Sequence, residues 1–199
     1  MIFTPTMTGI HTPDPLKYAF TVKTSAHSGR SGCRPISIDQ NEWQQWFSIE
    51  SRAEKRALYI HIPFCRKRCS FCNFFENATK PSRVTEYVNS LCQQLAGATT
   101  TKFIKSELFD TVYIGGGTPT DMQANEILQL ANVIQSFPLK PNAEITLEGR
   151  INGFTDDKFE AALAGGINRF SFGVQSVNTE VRQAAGRFDD EKNVNAAFI

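Results

Sequence analysis

No run of about 18 or more apolar residues occurs in this 199-residue sequence, so no segment reads as a membrane-crossing helix. The stretch from Met1 to Asp14 lacks a basic region followed by an apolar core, which excludes a secretory signal there. An excess of one charge is also missing: 21 basic residues face 20 acidic ones, for a formal net charge of +1. That balance provides no field to hold a nucleic-acid backbone or an anionic membrane surface. Neither partner is expected, and the chain reads as cytoplasmic. There is no low-complexity tract and no internal repeat beyond the alternation of elements set out below. What is present is a 41% hydrophobic composition, enough to build a sizeable core in a globular protein.

The five cysteines are odd in number, and no secretory signal precedes them, which argues against a disulfide framework and for thiolate chemistry. Three of them, Cys65, Cys69 and Cys72, fall within eight residues. Cys92 shares a helical stripe with Val84, Val88, Leu91 and Leu95 and reads as a core thiol. Cys33, in a polar, glycine-rich loop, has no assigned role.

Residues 1–57 differ from the rest, with prolines at positions 5, 13 and 15, a Gly/Ser loop at 29–32 and one short helical pattern around Trp43, Trp46 and Phe47. They read as a leader or lid. From Leu58 onward four strand candidates recur: Leu58 to Ile62, Thr111 to Gly115, Ala143 to Glu148 and Arg169 to Val174, each followed by a helical pattern. Helix starts are signalled by Ser82 after Pro81, by Thr120 with Gln123 as a capping box, and by Thr155 before an acidic turn. Gly165-Gly166 marks a helix stop. A last helix is expected from Asp189-Asp190-Glu191.

Single helices between strands imply parallel pairing, because a parallel partner needs a long crossover. The strands alternate: Leu58, Ile60 and Ile62 share one face, while Tyr59 and His61 share the other. Later strands repeat this pattern, with Thr111, Tyr113, Thr146, Glu148, Ser171 and Gln175 on the polar side. A doubly covered parallel strand is nearly all apolar. The expected fold is therefore an α/β, ligand-holding parallel (βα) barrel over residues 58–199.

The chemistry concentrates at two strand exits. Cys65-Arg66-Lys67-Arg68-Cys69-Ser70-Phe71-Cys72 is a C-x3-C-x2-C run directly after the first strand. Three thiolates so spaced can wrap three irons of a cubane cluster and leave the fourth open. Spacing alone also admits zinc held by these thiolates plus a histidine such as His61, or a chance grouping. Gly115-Gly116-Gly117-Thr118-Pro119-Thr120 follows the second strand; glycines there let backbone approach a ligand, or simply form a tight turn. Glu148, on the polar face, can accept both ribose hydroxyls of a nucleoside or pair with Arg150. Arg66-Lys67-Arg68 either offsets thiolate charge or is a solvated basic turn.

The run Tyr59-Ile60-His61-Ile62-Pro63-Phe64-Cys65, then Cys69 and Phe71-Cys72, resembles the opening of radical S-adenosylmethionine (SAM) enzymes. The branch it resembles contains the oxygen-independent coproporphyrinogen III dehydrogenases and the related heme chaperones. The resemblance implies a [4Fe-4S] cluster on Cys65, Cys69 and Cys72, with SAM chelating the open iron. It implies cofactor contacts from Tyr59 and Phe71 in the same motif and from the backbone at Gly116, Gly117 and Thr118. Glu148 would take the ribose. Phe172-Gly173-Val174-Gln175-Ser176 resembles the branch's fourth-strand motif, making Gln175 a SAM contact, and Arg187 lies at the matching offset to meet a carboxylate or a second SAM. The implied reaction is one-electron cleavage of SAM to methionine and a 5'-deoxyadenosyl radical, fed by a donor such as flavodoxin or ferredoxin. No catalytic side chain beyond the cofactor ligands is implied.

Where the coproporphyrinogen enzymes and chaperones carry an acidic residue or asparagine and then proline after the glutamate, this sequence has Gly149-Arg150. Together with Phe74-Phe75-Glu76-Asn77, that segment most resembles the anaerobic heme-utilisation (HutW/ChuW-type) radical SAM methyltransferases. This implies heme or another tetrapyrrole as substrate, with ring opening and methylation. The alternatives are porphyrin biosynthesis by a coproporphyrinogen III dehydrogenase, or a non-enzymatic heme chaperone that retains the cluster. Barrels of this family have six βα units, whereas four strands are counted here. The last residues, Ala197-Phe198-Ile199, fall inside an apolar stripe without a cap. The expectation is a barrel truncated after about four strands, an N-terminal fragment that lacks the later strands.

Overall fold

Four strands pair side by side in chain order, all parallel, as the βα alternation requires. The computed structural model describes residues 39–72, 77–187 and 191–196. Cys33, the leader prolines, Phe74-Phe75-Glu76, Asp189-Asp190 and Ala197-Phe198-Ile199 lie outside the described residues. The elements are α1 (Gln40–Ser48), β1 (Ala57–Ile62), β2 (Phe64–Cys65), β3 (Asn77–Ala78), α2 (Pro81–Ala98), α3 (Lys102–Lys105) and β4 (Phe109–Gly116). A 3-10 turn (Pro119–Asp121) leads to α4 (Ala124–Ile134), β5 (Leu139–Gly149), α5 (Asp156–Ala164), β6 (Arg169–Phe172), α6 (Thr179–Ala184) and α7 (Glu191–Ala196). The main sheet runs β1-β4-β5-β6, and β2 and β3 form a separate short parallel pair.

The register aligns the strand exits. Ile62 lies opposite Gly116, Ile114 opposite Leu147, and Gly149 opposite Phe172. Everything leaving the C-terminal ends of these strands is therefore gathered at one end of the sheet, where parallel α/β folds place their ligands.

The expected division of faces holds. Ile60, Ile62, Val112, Ile114, Ile145 and Leu147 are buried against Val84, Val88 and Cys92 of α2, Ile127, Leu130 and Ile134 of α4, and Ala162 of α5. Each fully buried aliphatic side chain contributes about 1.5–3 kcal/mol. Burial also pushes the Cys92 thiol pKa up, consistent with an inert core thiol. On the opposite face Tyr59 is 57% exposed, and His61, Tyr113 and Glu148 are half-buried. The lower end of that face is closed instead: Arg169 pairs with Glu144 at 3.1 Å, and Thr146 beneath them is fully buried.

Several local expectations are corrected. The α4 cap is Gln123, whose backbone N–H donates to the Glu126 carboxylate at 2.8 Å, while Thr120 sits in the preceding 3-10 turn. The strand after Arg169 ends at Phe172, not Val174, because the chain turns into a left-handed residue at Gln175 (φ 68°). Helix α6, capped by the Asn178 side chain on the Val181 N–H, precedes the helix expected near Glu191. At the other end of the sheet, Arg56 is buried over the Phe109 ring at 4.0 Å and donates to Phe103 and Ile104 carbonyls that close α3. Among the described residues no helix is long and apolar enough to cross a membrane.

Candidate functional site

The cysteine loop leaves β1 through Pro63 and passes into β2, where Cys65 is buried. Cys69 is also buried and Cys72 half-buried, with the Cys72 N–H closing a turn onto the Cys69 carbonyl at 3.1 Å. The Thr118 hydroxyl, fully buried, lies 3.2 Å from Cys65 Sγ. Arg66 is anchored: its backbone N–H and its Nε both reach the Asp121 carboxylate, at 3.1 and 2.7 Å, and its Nη2 donates to Asn152 O. Asp121 is 7% exposed and accepts from the Thr79 hydroxyl as well. The basic turn is thus not simply solvated, since its first arginine ties three strand exits together.

The glycine loop is close-packed for a reason the sequence reading did not supply. A Cβ on Gly116 would lie 2.7 Å from Ile62 O, and one on Gly117 would lie 2.5 Å from Phe64 O. These glycines let β4 approach the root of the cysteine loop; their missing side chains do not face an open ligand space. Gly116 also has φ +122°, a conformation that side chains other than glycine rarely adopt. The Gly117 N–H donates to Ile62 O at 2.8 Å, which leaves its carbonyl as the group without a partner among the described hydrogen bonds.

At the β5 exit, Glu148 reaches across to β4, its Oε2 lying 2.8 Å from where a Cβ on Gly115 would be. The alternative pairing of Glu148 with Arg150 does not form. Arg150 turns instead to the cysteine loop, its Nη2 donating to Lys67 O at 2.8 Å and lying 3.3 Å from Cys69 Sγ and 3.8 Å from Cys65 Sγ. Thr120 fixes this direction by accepting from the Arg150 N–H at 3.0 Å and donating back to its carbonyl. Lys158 braces the same corner through Thr120 O and Gly153 O, and burial holds its ammonium pKa below the usual lysine value.

The fourth exit brings Gln175 and Arg187 near Gly173: a Cβ there would meet Arg187 Nη2 at 3.0 Å and Gln175 Nε2 at 3.3 Å. Arg187 is buried, with its guanidinium 5.8 Å from the Phe71 ring. Arg182, 1% exposed, holds this loop by donating to Val174 O and Ser176 O. The Ser70 N–H donates to Ala185 O, which joins this exit to the cysteine loop. On the polar face, Tyr59 bonds His61 Nδ1 at 3.0 Å and stacks on Tyr113. Partial burial, and then the nearby Glu148 carboxylate, push the Tyr59 phenol above its usual pKa.

The cysteine loop, the glycine loop, Glu148, Gln175 and Arg187 therefore gather at the C-terminal end of the sheet, while Tyr59 lies lower on the polar face, level with Tyr113 and Thr146. Asp121, Lys158 and Arg182 were not singled out from the sequence, and Arg150 was read there as a mate for Glu148. Only Arg150 carried a signal in the sequence, as the residue that departs from the family pattern. Replacing Asp121 by alanine removes the acceptor for three donors and is expected to cost about 1.5–3 kcal/mol. Thermal unfolding checks this, together with faster amide hydrogen exchange at Arg66, while exchange in α4 away from the substitution stays unchanged.

Among the described residues no three His, Cys, Asp or Glu side chains are gathered closely enough to hold a metal ion. The sulfurs of Cys65 and Cys69 do converge on one permanently cationic nitrogen of Arg150. Cys72 is tied to Cys69 through its backbone N–H. Thiol donors on one loop beneath a cation fit an anionic thiolate-ligated iron–sulfur group.

A profile of the Radical SAM superfamily matches residues 59–197. Anaerobilin synthase of Escherichia coli O157:H7 is 33% identical over 162 residues, covering 80% of this chain and 36% of that protein. The heme chaperone HemW of Bacillus subtilis is 32% identical, with 72% and 38% covered. The oxygen-independent coproporphyrinogen III oxidase of Bradyrhizobium diazoefficiens is 33% identical, with 75% and 34% covered. The chain thus spans little more than a third of the curated relatives it matches. The solved structure of coproporphyrinogen III oxidase (HemN) from Escherichia coli, described as a radical SAM enzyme, superposes with a TM-score of 0.68 at 29% identity. That match covers 80% of this chain and 36% of that one. Its fold accounts for the four parallel strands as part of a radical SAM barrel, and the superfamily in general works with a [4Fe-4S] cluster and SAM. With its cysteine loop, glycine loop and fourth-strand turn converging at the strand exits, the chain belongs to the radical SAM superfamily.

Proposed function

We propose that this chain carries the cluster and SAM site of an enzyme that acts on heme under anaerobic conditions, opening the ring with methylation. The observation that carries the site is the convergence of Cys65 and Cys69 on one cationic nitrogen at the exit of parallel strands. In this reading Cys65, Cys69 and Cys72 hold the cluster. Bound together, the cluster and SAM supply one-electron cleavage of SAM to methionine and a 5'-deoxyadenosyl radical.

The chain's own residues bind and orient. The Gly116, Gly117 and Thr118 backbone lies along SAM, with the Gly117 carbonyl as acceptor because its N–H is committed to Ile62. Glu148 accepts the ribose hydroxyls. Gln175, held in a left-handed backbone by the Arg182 staple, and Arg187, packed against Phe71, address the polar ends of SAM. Tyr59, on the polar face, is a further cofactor contact in this reading. An external donor such as flavodoxin or ferredoxin supplies the electron.

Heme as the substrate rests on 33% identity to anaerobilin synthase and on Gly149-Arg150 after the ribose-binding glutamate. Turnover of coproporphyrinogen III is the second reading, favoured by the likeness to the Escherichia coli enzyme. The non-enzymatic third is a heme chaperone, supported by the likeness to HemW.

The test uses the protein expressed from its complete reading frame and reconstituted anaerobically, given SAM, reductant and heme. Loss of heme with appearance of a methylated linear tetrapyrrole is expected. SAM cleavage that leaves heme intact overturns the assignment. Consumption of coproporphyrinogen III, or tight binding of heme that is returned unchanged, selects the second or third reading.

A further inference from the structure

The only guanidinium nitrogen within hydrogen-bond reach of two of the cysteine sulfurs, among the described hydrogen bonds, belongs to Arg150. Its position is built in. Gly149 leaves the space in which Thr120 packs, since a Cβ there would lie 2.2 Å from the threonine side chain. Thr120 then grips the Arg150 backbone on both its N–H and its carbonyl. The side chain is held again at its far end by Lys67 O at 2.8 Å. An arginine gripped at both ends, with Nη2 3.3 Å from Cys69 Sγ and 3.8 Å from Cys65 Sγ, is placed to donate to sulfur. Glu148, two residues earlier, is not its partner, so its charge is not spent within β5.

We propose that Arg150 is a positioning residue that donates N–H···S hydrogen bonds to the thiolates of Cys65 and Cys69 and raises the reduction potential of the cluster they hold. The proposal rests on the reading that this loop holds a cluster. Potentials of such clusters follow net charge, hydrogen bonds to the sulfurs and solvent exposure, and outer-layer donors tune metal ligands generally. A fixed cation that donates to two ligand sulfurs acts on the first two together. It favours the more negative, reduced state. Reduction adds one electron from the chemical reductant to the cluster, with no bond made or broken in the protein.

The test compares the complete protein with Arg150→Met, Arg150→Lys and Arg150→Gln after anaerobic reconstitution. Iron and sulfide content are measured first, and a wild-type protein without cluster overturns both this proposal and the reading beneath it. Where the cluster is present, EPR-monitored titration with Ti(III) citrate gives the midpoint. Arg150→Met is expected to hold tenfold less reduced cluster at the potential where the wild type is half reduced, a lowering of about 59 mV for one electron. Iron content should be unchanged. Arg150→Lys, which keeps the charge, should recover more than half of that shift.

Less than a twofold change in the reduced-to-oxidised ratio for Arg150→Met overturns the proposal while leaving the cluster reading intact. If Arg150→Met fails to hold a cluster, Arg150→Gln is titrated in its place against the same thresholds. Failure of all three variants to hold a cluster assigns Arg150 a purely structural role and also overturns it.

Discussion

Cys69→Ala is expected to bring cluster content from about four irons per chain to near zero after anaerobic reconstitution, because a cubane held by three protein thiolates has no spare ligand. Cys69 is 4% exposed, and its Sγ lies 3.3 Å from Arg150 Nη2. Alanine occupies less volume at that site, so the apo chain should fold almost as the wild type does. Cys92→Ala is the matched control. Cys92 lies among Val84, Val88 and Leu95 in the core and faces none of the strand exits. It should lose some stability while retaining full iron and the reduced-cluster EPR signal. Iron and sulfide analysis with EPR decides the matter. A wild-type protein that takes up zinc and no iron under the same treatment would overturn the cluster assignment altogether.

Gly116→Ala is expected to destabilise the chain by about 3 kcal/mol or more, from left-handed strain and from overpacking against backbone. The new Cβ would lie 2.7 Å from Ile62 O and 2.9 Å from Ile62 N, atoms of β1 that cannot rotate away. Relief requires β1 and β4 to separate at the base of the cysteine loop, so cofactor loading should fail with stability. Gly97→Ala makes the same chemical change with the opposite expected sign. Gly97 lies inside α2 with nothing within 4 Å of its would-be Cβ. Alanine there should stabilise by about 0.5–1 kcal/mol. Urea unfolding of both variants under anaerobic, reducing conditions measures the pair. Equal shifts would show that glycine content, and not the β1–β4 contact, governs stability.

The four main strands and the helices between them were legible because their signals are local. Alternation at Leu58, Ile60 and Ile62, the helical stripe of α2 and the Gly165-Gly166 stop each depend on a few neighbouring residues. The pair β2–β3 was not, because two-residue strands carry no period. Nor was α6, whose six residues are too short for an apolar stripe to stand out. Thr120 looked like a helix cap because threonine commonly caps. Tertiary packing gave it a different task, gripping Arg150 from across the sheet exit.

The cysteine spacing, the glycine run and the order of parallel elements were determined by the sequence alone, since each is a property of residues close together in the chain. They suffice for the radical SAM family. Contacts between different strand exits were decided only by the fold. The 55 residues from Arg66 to Asp121, and the 81 from Cys69 to Arg150, are closed by parallel register and not by any local preference. Which face of a loop a long side chain then takes depends on where its partners have been brought. That is why Arg150 read as a mate for Glu148 in the sequence, and in the folded chain stands over the thiols.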